Sequence, residues 1–130
     1  MSKVIQITFK VSEDGLLKVT LEGPETDPND GTTTVENNDF VQWHIPENSN
    51  IVGACLGFEG KSPFADGLMH LEWDQVSFYM LGQPLCVLGA TAGQTFDYDY
   101  CVTIKTNSRQ PWDQVSPVGK GTLKIAGGLD

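Results

Sequence analysis

Residues Phe96 to Lys105 read FDYDYCVTIK. Taken two at a time, Phe96, Tyr98, Tyr100, Val102 and Ile104 fall on one face, and Asp97, Asp99, Cys101, Thr103 and Lys105 on the other. That is the period of a strand with one buried face. At about 3.3 Å per residue such a strand crosses a whole small domain. Its aromatic and β-branched face calls for a second sheet to cover it, and the rest of the chain reads as that cover.

Downstream, Asn107 to Pro117 is a polar loop carrying Trp112, and Gly121 to Ala126 (GTLKIA) is a closing strand with Leu123 and Ile125 inward. Upstream, Pro84 to Leu88 is short, its proline marking an edge or a strand start. Gln75 to Leu81 alternates as a strand. Glu59 to Asp74, with Pro63 and the turn Ala65-Asp66-Gly67, reads as a long irregular excursion with a short helical turn near Phe64 to His70. Ile51 to Phe58 (IVGACLGF) is an almost continuous apolar run, a buried strand in which Cys55 is expected to act as a small core hydrophobe.

Further upstream, Phe40 to Ile45 gathers Val41, Trp43 and Ile45 on one face and leaves His44 on the wetter one. Val4 to Val11 and Leu16 to Glu22 form a hairpin around Glu13-Asp14-Gly15. Between them and Thr32 lies the polar loop Gly23 to Gly31, whose Asp27, Asn29 and Asp30 miss the EF-hand spacing and read as a solvated turn. Strand patterns recur roughly every ten residues, with no long helix and no internal repeat. The expectation is all-β: a single antiparallel β-sandwich of seven to nine strands, with residues 1–130 forming a single domain.

Charge narrows the classes of partner. Seventeen acidic residues against eight basic ones give a net charge of -9, a field that repels phosphate backbones and anionic membrane surfaces. No apolar run approaches the ~18 residues of a membrane span, and the first residues look like a strand rather than a signal peptide. This points to the cytoplasm unless a leader has been removed. The three cysteines, Cys55, Cys86 and Cys101, show no CxxC spacing. They read as reduced thiols rather than a disulfide framework, with one bridge plus one free thiol left open.

Three pieces of the chain resemble the cupredoxins, the Greek-key sandwiches that include the blue-copper proteins. Val35 to Trp43 resembles the family's "V..GDxVxW" motif, with Asn38 where glycine is usual. Gly93 to Cys101 resembles the "GxYxYxC" strand that leads to the copper cysteine, and Val118 to Ile125 resembles the closing "MxGxVxV" strand. The resemblance implies a cupredoxin-like Greek-key fold. It does not carry the copper site across, because no histidine and no methionine follows Cys101, and blue copper needs two imidazoles and a thiolate converging with a weak axial donor. An alternative metal-binding redox reading would have to use Cys101 with both histidines, His44 and His70.

Catalytic motifs are missing: GxSxG, HExxH, the P-loop and the dinucleotide fingerprint do not occur. Asp97 and Asp99 lie on one strand face, where charges ordinarily guard a sheet against aggregation. The expectation is a non-catalytic binding or structural module without a cofactor, whose partner is an unidentified protein or small molecule. Trp73 and Trp112, in stretches that read as loops, are candidate contact anchors, with Asp113 and His70 beside them. A carbohydrate-binding sandwich is the third reading, its exposed aromatics stacking on sugar rings beside Asp27 to Asp30 or Asn107 to Asp113. The edge at Pro84 to Leu88 offers a route to homo-oligomers.

Overall fold

A computed structural model describes residues 4–11, 19–27, 29–45, 51–74, 84–88, 90, 93–105 and 117–127. Nine strands run through them: β1 Val4–Val11, β2 Val19–Glu22, β3 Thr32–Glu36, β4 Phe40–His44, β5 Gly53–Phe58, β6 His70–Asp74, β7 Leu85–Cys86, β8 Thr95–Lys105 and β9 Gly119–Ala126. They form two sheets, ordered β2-β1-β4-β7 and β3-β9-β8-β5-β6. The buried side chains of both belong to one core, so the fold is an all-β sandwich. Among the described residues no helix is long and apolar enough to cross a membrane.

The alternation that marks β1, β4 and β8 also sets what they bury. Ile5, Ile7 and Phe9 of β1, Val41 and Trp43 of β4, and Tyr98, Tyr100, Val102 and Ile104 of β8 all point inward. At the centre, Trp43 meets the rings of Tyr100, Phe58 and Phe64 edge-on, at centroid distances of 5.6, 6.3 and 6.1 Å. Edge-to-face pairing sets the positive ring edge against the negative face. The Trp43 indole N–H donates to the Tyr100 hydroxyl at 3.3 Å, giving both buried polar groups a partner.

Five expectations change. The sheets are mixed rather than antiparallel: β1 runs parallel to β4, and β3 parallel to β9. Alternation specifies which face a side chain takes and carries no information on strand direction. The excursion after Glu59 contains no helical turn at Phe64 to His70. Ala65 to Gly67 turns, and the chain then forms β6, with Leu71 fully buried. Trp73 therefore lies in a strand, opposite Ala54 in register, and not in a loop. Phe96, the second residue of β8, is 39% exposed and does not join the buried face. Finally, Cys55 is half-buried and faces outward rather than into the core. Ala54, Leu56 and Phe58 take the inward positions of β5, and Cys55 and Gly57 fall between them.

The loops mostly hold themselves. Asp27 and Asp30 turn back on their own loop, accepting the backbone N–H groups of Asn29 and Thr32 at 2.9 Å each. The backbone and side-chain hydrogen bonds of Thr32 hold the Asp30 carboxyl below its ordinary value. Asn38 has φ of 73°, the left-handed region that asparagine tolerates better than most residues. Its neighbour Asn37 pins residue 90 through both amide groups, donating to the Ala90 carbonyl and accepting its N–H. Among the described residues β7 ends the order of its sheet and begins just after Pro84, and residues 63–65 bond along its far side through Ala65 N–H to Cys86 O and Leu88 N–H to Pro63 O. The expected strand Gln75 to Leu81, and Trp112 and Asp113, lie outside the described residues.

Candidate functional site

The outer face of the five-stranded sheet carries the most varied chemistry among the described residues. Strand register aligns Lys120, Cys101, Gly57 and His70 across β9, β8, β5 and β6. One step along, Thr103, Cys55 and Glu72 are aligned in the same way. Cross-strand neighbours of this kind bring Cβ atoms to within about 5 Å. Gly57 contributes no side chain, so a gap opens between Cys101 and His70. The result is an open groove of about 280 Å³, walled by Cys55 and Gly57, His70 and Glu72, Cys101 and Thr103, with Pro117 at its rim.

Within the groove three unlike donors converge. The Cys55 sulfur lies 3.2 Å from His70 Nε2. The ligating atoms of Cys55, His70 and Glu72 all lie within 4.8 Å of one another. Burial, helped by the Glu72 charge, pushes the Cys55 thiol up to about 11. The thiol therefore keeps its proton near neutrality, within hydrogen-bonding distance of the imidazole. A cysteine nucleophile needs the opposite shift, toward thiolate. The thiolate is also the form that ligates a metal, so in this groove only the charge of a bound cation would draw the proton off the sulfur.

The sequence-derived candidates are dispersed by the fold. His70 and Cys101 line the same groove. His44 lies exposed at the end of β4, on the outward face of the other sheet, and the core separates it from the pair. The histidines and Cys101 are therefore not brought together. Cys86 is half-buried in β7, also in the other sheet, and the three cysteines are unbridged. Asp99, one of the paired strand carboxylates, accepts a hydrogen bond from the Thr122 hydroxyl at 2.8 Å.

Cys55 and Glu72 are the residues that sequence reasoning missed. Two weak signals bear on them, each legible only once the strand is known. In GACLGF the bulky Leu56 and Phe58 share parity with Ala54, which turns Cys55 outward. In HLEWD, His70 and Glu72 share parity opposite Leu71. Compared with known proteins, the chain matches no family model and no curated protein.

Proposed function

We propose that this chain is a non-catalytic, copper-free, cupredoxin-like Greek-key module that binds its ligand through the groove on the outer face of the five-stranded sheet. The observation that carries the reading is the Gly57 gap. A sheet face otherwise covered by side chains is interrupted where a thiol, an imidazole and a carboxylate meet. Concave sites with a few convergent polar groups are the usual form of small-ligand sites.

Asn38 supports the cupredoxin-like part of the reading: the position where the family motif has glycine takes a positive φ here. The copper-free part is supported by Cys101, which faces outward from mid-strand, with His44 on the far side of the sandwich. Three unbridged thiols support a reducing compartment. The sugar reading gains nothing from the 23–31 loop, whose Asp27 and Asp30 are occupied with their own backbone.

The test is to plug the gap. In Gly57→Val the new side chain fills the groove without opposing the strand's β-propensity. Titrating native protein and variant with phenol, imidazole, acetate and galactose, followed by backbone amide NMR, should move amides around Cys55, Gly57, His70 and Cys101 only in the native protein. Shifts centred elsewhere, or equal shifts in Gly57→Val, would sink the proposal.

A further inference from the structure

We infer that Cys55, His70 and Glu72 form a three-donor site for a borderline-soft divalent cation, with zinc as the best match. The inference deepens the groove reading and rests on it. Each donor is fixed by sheet register rather than by a loop. Cys55 stands directly opposite Glu72, and Gly57 directly opposite His70, so Cys55 and His70 are diagonal neighbours on adjacent antiparallel strands. His70 and Glu72 are two residues apart on β6 and share its outward face.

The spacing fits one ion. With Zn–S about 2.3 Å and Zn–N about 2.0–2.1 Å, sulfur and nitrogen on a tetrahedral zinc stand roughly 3.5 Å apart. The Cys55 sulfur and His70 Nε2 lie 3.2 Å apart, so they need separate by only a few tenths of an ångström, and the carboxylate of Glu72 is within 4.8 Å of both. The donor set selects the metal class. Calcium and magnesium take oxygen ligands in higher number, whereas one thiolate, one imidazole and one carboxylate suit zinc or cobalt(II).

On binding, the Cys55 S–H bond breaks, an S–metal bond forms, and the proton passes to solvent. The bound ion takes the place of the thiol proton, between the sulfur and Nε2. Three protein ligands leave the fourth position open, as in zinc sites that accept an outside ligand. The space over Gly57, toward Cys101 and Thr103, gives that ligand room.

The experiment is a cobalt(II) titration of the reduced protein followed by visible and near-ultraviolet absorption, with displacement by zinc and proton release read in weak buffer. The expected result is a single equivalent of cobalt showing tetrahedral d–d bands and a sulfur-to-metal charge-transfer band, with about one proton released per ion. Cys55→Ser should abolish the charge-transfer band. His70→Ala and Glu72→Gln should each weaken binding by at least ten- to a hundredfold, the range that even outer-shell partners command. Cys86→Ser and His44→Ala should bind as the native protein does. Absence of binding, cobalt spectra without the sulfur band, or equal loss in Cys86→Ser or His44→Ala would overturn the site. If cobalt fails while Gly57→Val still blocks the organic probes, the cation inference falls and the groove stands.

Discussion

The two faces of the β5–β8 ribbon are built from alternate residues of the same strands, yet they obey different rules. Inward, Ala54, Leu56 and Phe58 meet Tyr98, Tyr100, Val102 and Ile104 in a core closed to water. Outward, Cys55, Gly57, Cys101 and Thr103 line an open groove. The comparison teaches that one residue of register separates stability from chemistry in this chain. A single slip would carry Cys55 and Cys101 into the core and set the rings in solvent. The faces also use glycine differently. Gly121, buried opposite Tyr100, is there because a Cβ would collide with that ring's hydroxyl end and come within 2.5 Å of Leu21. At Gly57 a Cβ would only touch the His70 ring, at 3.6 Å.

The largest effect should come from the inner face. Tyr100→Ala removes a fully buried ring packed on Trp43 and Phe58 and leaves the Trp43 N–H without its partner. It should cost about 3–5 kcal/mol in urea denaturation, and a loss under 1 kcal/mol would show that the aromatic cluster is not the centre of the core. Next in size is Gly121→Ala, expected to cost about 1–3 kcal/mol by overpacking against Tyr100.

A smaller, graded effect follows from alkali. Burial raises the Tyr100 hydroxyl far above its ordinary value of 10.0. A folded-state value raised above the unfolded one gives stability that is complete below about pH 10 and falls as pH rises beyond it, by about 1.4 kcal/mol per unit. Spectrophotometric titration should therefore show the Tyr100 phenolate appearing only together with unfolding. Ionisation of every tyrosine while the fold persists would contradict the sealed inner face. The smallest effect belongs to the outer glycine: Gly57→Ala should change stability by less than about 0.5 kcal/mol, and a loss as large as that of Gly121→Ala would erase the distinction between the faces.

How much of this was legible follows from what each residue advertises. β8 and β1 alternate unambiguously, so their buried faces could be read directly, Phe96 excepted. Cysteine and glycine carry no clear mark of face, so the parity of IVGACLGF was hidden, and with it the outward turn of Cys55. β6 offered only two apolar positions, Leu71 and Trp73, too few to stand out from the turns before it. Because β6 supplies His70 and Glu72, missing that strand meant missing the site. Parallel pairing was illegible for a different reason, since strand direction depends on how the chain crosses between sheets and not on local pattern.

The position of β9 has a consequence for how the molecule is made. Gly119–Ala126 lies between β3 and β8, paired on both sides, and its partner β3 is far away in the chain. Until those eight residues have been synthesised, β8 has one bare edge and Tyr98 and Tyr100 lack their in-sheet neighbours Leu123 and Gly121. Such long-range closure belongs to the slow, millisecond-to-second class of folding reactions. The nascent chain would spend its most vulnerable interval with an aromatic strand waiting for its neighbour, the stage at which a chaperone has something to hold.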